Sequence, residues 1–362
     1  MARLPLLQRA SHLVAYWSDG FVLYNYATAA AVRTTPLAVE ILDFFGEPRT
    51  LSQARQRFPA YPAASLARVL RSLRRRGLLE VRRRGGSRQA LDSWKAWNPA
   101  AGFFHQSTKN VPFVEDPSGG PAGASIARSA SHVRRLKAAG IALPPTRNDG
   151  ELPLVLLGRR TWRRFSRQPL PVDALATLLG LTFGMQYVVE LGRGRRVHLR
   201  TSPSPGACQT LEAYVLVRRV EGLTRGLYHY AADRHELEQI GSRATLRPIP
   251  DYLPTQDWYR DAAALVFITA VFPRVWWRYD YPRAYRAVLI EAGHFCQTFL
   301  LTATWLGLAP FCSMALADSL IERDLGIDGV TESVLYAAGV GVRPPGVDWA
   351  PTPAPKRGRM SR

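Results

Sequence analysis

Residues 283–306 read RAYRAVLIEAGHFCQTFLLTATWL. Tyr285, Val288, Leu289, Ala292, Phe295, Cys296, Phe299 and Ala303 recur at steps of three and four, the period of a helix face. Ala287, Ile290 and Leu300 add apolar positions on other faces. The pattern predicts a long helix buried on several sides, central in its domain or at a dimer interface. From Ala292 to Ala317 the chain carries no Asp, Glu, Lys or Arg, long enough for the ~20 residues of a membrane span. His294, Gln297, Thr298, Thr302, Thr304, Gly307 and Pro310 interrupt it, and polar groups in lipid are costly, so a buried helix is expected instead of a span.

Around this helix the apolar runs Ala263–Phe272 and Ser333–Val342 read as strands. Leu211–Val217 and Gly226–Tyr230 read as neighbouring strands joined through Glu221 and Gly222, and Pro171 with Asp173 opens a helix to Leu181. Strands and helices mix without regular alternation, which favours α+β over a doubly wound sheet. These elements define a larger domain at 151–344. Residues 91–150, with Pro117-Ser118-Gly119-Gly120-Pro121 and Pro144-Pro145, read as a connector. Trp94, Trp97, Phe103 and Phe104 make part of that connector too aromatic to be free of a neighbour. Residues 345–362 read as a disordered tail.

Residues 13–90 form a smaller unit. Leu13–Trp17 and Phe21–Tyr26 flank a Ser18-Asp19-Gly20 turn. Three helices follow, opened by Thr35-Pro36, by Thr50 and near Ala63, the third with Leu66, Val69, Leu70 and Leu73 inward. Gly77 ends it, and Leu78–Val81 then reads as a wing strand, so the unit resembles a winged helix. Arg68, Arg71, Arg74, Arg75, Arg76, Arg82, Arg83, Arg84 and Arg88 crowd this end, with Glu80 among them. The crowd reads as a solvated face, as a patch for DNA phosphates or as a site for an acidic peptide.

The whole chain has 362 residues, 48 Lys+Arg, 28 Asp+Glu and a formal charge of +20. Its 47% hydrophobic content excludes a wholly disordered chain, and the length suits two domains. Only Lys95, Lys109, Lys137 and Lys356 are lysines, so arginine, a planar fork for phosphate or carboxylate, supplies nearly all the positive charge. Cys208, Cys296 and Cys312 form no CxxC pair and no even-numbered framework, against a disulfide-stapled secreted protein. Arg3, Pro5, Arg9 and His12 break any signal-peptide core, so a cytoplasmic chain is expected.

No Gly-x-Gly-x-x-Gly follows a strand, and no Walker loop, HExxH or Gly-x-Ser-x-Gly occurs. Glu291 and His294 have di-iron spacing, but no second such motif exists, so no metal is expected. Two stretches carry chemistry instead. Gly158-Arg159-Arg160-Thr161-Trp162-Arg163-Arg164-Phe165 offers four guanidiniums and a hydroxyl suited to a phosphate monoester, with Arg159 and Arg163 pointing the same way on a helical turn. Leu199-Arg200-Thr201-Ser202-Pro203-Ser204-Pro205-Gly206-Ala207 is a compact turn whose backbone can approach a flat ring. Alone, each reads more readily as a solvated surface turn.

In this order and separation the two stretches resemble the FMN-binding signature of nitroreductase-like flavoenzymes. Gly226-Leu-Tyr-His-Tyr, Tyr285-Arg286-Ala-Val-Leu-Ile-Glu291-Ala-Gly293-His294-Phe-Cys-Gln297, Gly307-Leu-Ala-Pro310 and Phe104-His105-Gln-Ser107-Thr-Lys109 extend the resemblance to SagB-type peptide dehydrogenases. That family oxidises thiazoline and oxazoline rings in ribosomally made peptides. The resemblance covers about 100–344. It implies an α+β fold with a mixed sheet and central long helix, and a homodimer holding FMN at the subunit interface. It also implies a precursor peptide as substrate and a cyclodehydratase as a possible partner.

The resemblance further implies that Arg159, Thr161 and Arg163 hold the phosphate and ribityl end, with Arg343 a further phosphate contact. Pro203, Ser204 and Gly206 would line the isoalloxazine edge, Gln297 would be a polar contact in an apolar setting, and Cys312 and Ser313 would approach the ring with their backbone amides. Where the family has Lys-Tyr, this chain has Arg278-Tyr279. Arginine stays protonated, so Tyr279 becomes the base candidate and Arg278 a stabiliser of its phenolate or an orienter of substrate. Two other readings stand beside this one: an NAD(P)H-dependent nitroreductase or flavin reductase, and a DNA-binding redox regulator. Nucleic acid is the less expected partner.

Overall fold

The computed structural model describes residues 6–81, 94, 97–110, 143–190, 192, 196–241 and 246–346. An unbroken apolar run suits a strand covered on both faces, and Ala264–Val271 (β11) is buried at all but its last position. It pairs with β8 (Leu211–Val217) on one side and β13 (Glu332–Gly341) on the other. β9 (Gly226–Ala231) and β10 (Glu236–Gly241) extend the sheet beyond β8, and β12 (Ala309–Ser313) pairs with β13, giving the order β10-β9-β8-β11-β13-β12. Every adjacent pair in this sheet is antiparallel, so the mixed sheet expected from the resemblance does not form among the described residues. β8, β9 and β10 follow one another as hairpins, which dictates that sense.

Period-two alternation divides the core. Ala213, Val215, Val217, Val266 and Ile268 face the helices α6 (Val172–Phe183) and α7 (Ala284–Trp305). Tyr214, Leu216, Leu265 and Phe267 face Ile249, Tyr252 and the helix α8 (Asp318–Leu325). The long helix α7 departs from expectation. Tyr285, Val288, Ala292, Phe295, Phe299 and Ala303 are buried, but Leu289, Ile290, His294 and Gln297 are exposed. It covers one face of the sheet, and nothing among the described residues covers its back. No described helix is long and apolar enough to cross a membrane.

The N-terminal unit begins earlier than expected, because β1 (Leu7–Arg9) pairs with β5 (Leu79–Val81). β2 (Leu13–Trp17), β3 (Phe21–Asn25) and β4 (Ala30–Arg33) form a three-stranded meander. α1 (Pro36–Phe44), α2 (Leu51–Arg57) and α3 (Ala63–Arg75) pack over their own core of Leu23, Ile41, Phe45, Leu66, Leu70 and Leu73. Thr50 caps α2 with Gln53 in a reciprocal capping box. Val69, expected inward, is exposed, as are Arg68, Arg71, Arg74, Arg75 and Arg76. Arg82, Arg83, Arg84, Arg88 and the tail from 347 lie outside the described residues.

Aromatic side chains join the two parts. α4 (Asn98–Ser107) sets Phe103 against Tyr16 and Tyr24 of the meander. On its other side Trp94 and Trp97 are fully buried against Phe272, Trp276 and Tyr285. Trp94 Nε1 donates to Val330 O at 2.9 Å, and His105 Nδ1 meets Tyr285 Oη at 2.8 Å. Burial holds the His105 imidazole far below its usual range, at about 3, so it sits neutral. At the helix end Lys109 Nζ bonds both Glu322 carboxylate oxygens, at 2.7 and 2.6 Å, with both side chains nearly closed to water. Gly329 completes this corner. Its φ of +67° and its closeness to Glu322 and Lys109 leave no room for a side chain.

Removing one partner of a buried ion pair leaves an uncompensated charge, at a cost of about 3–5 kcal/mol. Lys109→Ala is therefore expected to lower the urea midpoint of the full chain by that equivalent. An unchanged midpoint would show that Glu322 does not depend on Lys109.

Candidate functional site

The turn after β7 (Arg196–Leu199) is built by its small residues and prolines. Gly206 and Ala207 both have φ of +56°, a left-handed conformation that glycine adopts without strain. Ser204 Oγ accepts from Gln209 N at 2.8 Å. Beneath the turn Glu291, a buried carboxylate on α7, accepts from Thr210 N at 3.2 Å and from Thr210 Oγ1. Burial pushes the Glu291 carboxyl up, and hydrogen bonds from Thr210 and Ser204 oppose the rise. Ser202 Oγ and Thr298 Oγ1 share a further bond to the helix at 2.7 Å.

Arg278 and Tyr279 pack on the same turn. Arg278 Nη1 donates to Gly206 O at 3.1 Å, and its guanidinium carbon lies 5.6 Å from the Tyr279 ring centre. A Cβ on Gly206 would come within 2.6 Å of Tyr279 Oη and 2.8 Å of Arg278 Nε. Trp97 Nε1 donates to Tyr279 O at 2.7 Å, fixing this segment from the connector. The structure thus brings together Ser204, Gly206, Arg278 and Tyr279. Pro203 is exposed beside them.

The arginine stretch after α5 (Glu151–Gly158) is irregular rather than helical, with Arg159 in extended backbone, so the shared helical turn for Arg159 and Arg163 is not formed. Trp162 N donates to Pro310 O and Ser166 N to Val342 O, a course set by the ends of β12 and β13. Neighbouring side chains part company. Arg160 and Trp162 line a cavity of about 510 Å³ with Arg343, whose guanidinium donates to Leu308 O and Thr304 O and lies over the Trp162 ring. Arg159 lies near enough to Cys312, and Arg163 to Tyr259, for its charge to act on them. Thr161 and Arg163 are exposed.

Cys312 accepts from Tyr336 Oη at 3.3 Å. A hydrogen bond from the Cys296 thiol, aided by Tyr336 and Arg159, holds the Cys312 thiol below its usual range against the effect of burial. Ser313 Oγ donates to Gln256 Oε1 at 2.8 Å. Gln297, expected in an apolar setting, is exposed on the open back of α7. The two stretches line different cavities: the one at Arg160 and Arg343 contains no residue of the 200–207 turn, and the one beside that turn contains none of 158–165.

That second cavity, about 530 Å³, holds a charge network that sequence reading missed. His229 meets Glu212 at 3.1 Å through Nε2 and Glu238 at 2.9 Å through Nδ1. Arg274 forms an ion pair with Glu212 and donates to Gln209 O at 2.9 Å. The bond to Glu212, and then Glu238, raise the His229 pKa to about 8 against burial. The only available signal was strand alternation, which puts Glu212 of β8 and His229 of β9 one step from direct register across the ladder.

Three comparisons bear on this arrangement. A model of the nitroreductase family matches residues 156–342. MJ1384 of Methanocaldococcus jannaschii, named as a nitroreductase, is 32% identical over 188 residues, 51% of this chain and 88% of that protein. The trifolitoxin-processing protein TfxB of Rhizobium leguminosarum bv. trifolii is 32% identical over 146 residues, 39% of either chain. Among solved structures, a chain of the E. coli microcin synthetase McbBCD complex with truncated pro-MccB17 bound matches with 20% identity and a TM-score of 0.46, over 64% of this chain and 85% of that one.

A histidine whose folded pKa is raised from 6.5 to about 8 contributes stability that is full below about 6.5 and lost as pH rises through about 8. Denaturant unfolding of the full chain between pH 6 and 9 should show this loss, on the order of 1 kcal/mol for a partly exposed group. His229→Gln should flatten the slope in that window. An equal slope in both proteins would remove His229 as its source.

Proposed function

We propose a reading that proceeds from one premise: the chain belongs to the nitroreductase family, whose members are FMN-dependent oxidoreductases. On this reading it dehydrogenates thiazoline or oxazoline rings of a ribosomally made peptide, as a cytoplasmic homodimer of SagB type. The observation that carries it is the packing of Arg278 and Tyr279 against the Gly206 turn. Similarity to a trifolitoxin-processing protein supports a peptide substrate, although the chain spans only 39% of that relative.

The residues present fit FMN. The Arg159 and Arg163 side chains make no hydrogen bond or ion pair among the described residues, so their guanidiniums are free for a phosphate, with Thr161 between them and Cys312 and Ser313 nearby on β12. Arg343 already donates twice to backbone and fits a supporting role. Pro203, Ser204 and Gly206 would meet the ring edge, with Arg278 and Tyr279 packed where a Cβ of Gly206 would stand. Bound FMN supplies the two-electron acceptor. Tyr279 Oη takes the proton from the azoline carbon, and Arg278, always protonated, stabilises the phenolate across the ring face. Trp97 holds the tyrosine main chain in place.

The separation of the two stretches within one chain supports the dimer, in which the turn of one protomer and the arginines of its partner share one site. An apolar surface is available for it: Leu152, Leu154, Leu157, Ile290, Trp305 and Met314 are all exposed, with Gln297 on the same back of α7. The N-terminal unit, taken as winged-helix-like, would recruit the precursor peptide or a cyclodehydratase. A cavity of about 590 Å³ beside the edge strand β2 supports that role. A second reading, an NAD(P)H-dependent nitroreductase, is favoured by the match along 88% of MJ1384.

Purified protein is expected to be yellow and to release FMN on denaturation. Arg159→Ala should lower flavin occupancy about tenfold, the scale of one charge-assisted phosphate contact; full occupancy in the variant would misplace the phosphate site. With an azoline-bearing peptide, Tyr279→Phe should cut kcat about 10²–10⁴-fold with KM little changed. Turnover of nitroaromatics with NADPH, and none of the azoline, would favour the second reading.

A further inference from the structure

We propose that the cavity walled by Arg200, Gln209 and Arg274 is a specificity pocket for a carboxylate-bearing stretch of the substrate peptide. The inference rests on the peptide-substrate reading above and adds the chemistry the pocket selects. The cavity measures about 530 Å³, within the roughly 300–1,000 Å³ of ligand pockets. Gly206 and Arg278 belong to its wall, so an occupant there adjoins the turn on which Tyr279 packs.

Two wall residues have unmet hydrogen-bonding capacity. Arg200 is 9% exposed and Gln209 8%, yet Arg200 Nε and Gln209 Oε1 have no partner among the described residues. Buried polar atoms are rarely left so. Neither side chain is loose. Arg200 Nη1 donates to Leu211 O at 2.9 Å and its guanidinium lies over the Phe295 ring. Gln209 Nε2 donates to His198 O at 2.8 Å, which fixes the amide.

Charge selects the rest. Of the wall arginines, Arg196 pairs with Glu190, Arg234 with Asp233, Glu236 and Glu238, and Arg274 with Glu212, while Arg200 and Arg278 form no ion pair among the described residues. The excess is positive, which favours one carboxylate, while the three acidic groups in the wall, Glu212, Asp233 and Glu238, oppose a doubly charged phosphate. Met185, Val197 and Trp277 supply apolar wall for the carbon chain beneath it.

The test uses the full-length protein and fluorescein-labelled Gly/Ser octapeptides, read by anisotropy. One peptide has a central Glu and an amidated end, one a central Gln and an amidated end, and one a central Gln and a free C-terminal carboxylate. At least one carboxylate peptide should bind about tenfold more tightly than the Gln amide, and which one identifies the source of the carboxylate. Arg274→Gln should abolish the preference and Arg274→Lys should restore part of it. Arg234→Gln, at a half-exposed mouth position, should weaken the preferred peptide severalfold without risk to the core. Equal affinity for all three peptides, or a preference that survives both glutamine variants, overturns the proposal. Azoline turnover with equal kcat/KM for acidic and neutral peptides would sink the pocket and leave the reaction standing. An acidic preference without azoline turnover would do the reverse.

Discussion

A buried carboxylate ties the site to the scaffold. Glu291 points from α7 into the base of the 202–210 turn and takes both hydrogens that Thr210 can give. Because α7 is packed along the main sheet by Phe295 and Phe299, this bond transfers the rigidity of the core to a loop of prolines and small residues. Ser202 and Thr298 repeat the attachment two helical turns further on. The left-handed backbone at Ala207, costly for a residue with a Cβ, persists between two held flanks. Arg278 and Tyr279 then use that turn as their platform.

The second constraint comes from the other end of the chain. Trp94, Trp97 and His105 enter the core that the main sheet builds, and Trp97 bonds the Tyr279 carbonyl itself. Trp97, which holds the Tyr279 main chain, therefore lies 182 positions away in sequence. The same α4 helix carries Phe103 to the N-terminal meander. One short helix thus touches both the recruiting unit of the proposed function and the segment bearing its base.

Local pattern made much of the fold legible. β8, β9, β11 and β13, the helix α1 with its first-turn proline, the capped helix α2, and α7 all announced themselves through periodicity and turn or cap residues, with ends within a residue or two. Sheet sense was not legible, since it depends on which strands meet. Exposure of Leu289, Ile290 and Gln297 was not legible either, because apolar residues round a helix look the same whether its back meets its own domain or a second chain. For the site, Gly206 and Tyr279 were readable as types suited to the roles proposed for them. The Glu212–His229–Arg274 network was not, because its members lie on three separate elements and form no spaced motif.

Arginine at 278 changes what the neighbouring groups must do. A lysine there could surrender a proton on desolvation, whereas a guanidinium remains charged. Its bond to Gly206 O and its place over the Tyr279 ring make it a fixed positive charge beside a phenol. In the proposed mechanism that charge stands beside the tyrosine that takes the proton. The same guanidinium also lines the cavity proposed to take a carboxylate. In the proposed enzyme one side chain would therefore both ease proton removal and orient the carboxylate of the substrate. The two tasks are compatible because arginine has five donors and spends one on Gly206. A lysine, able to serve as base only when uncharged, could not perform both at once.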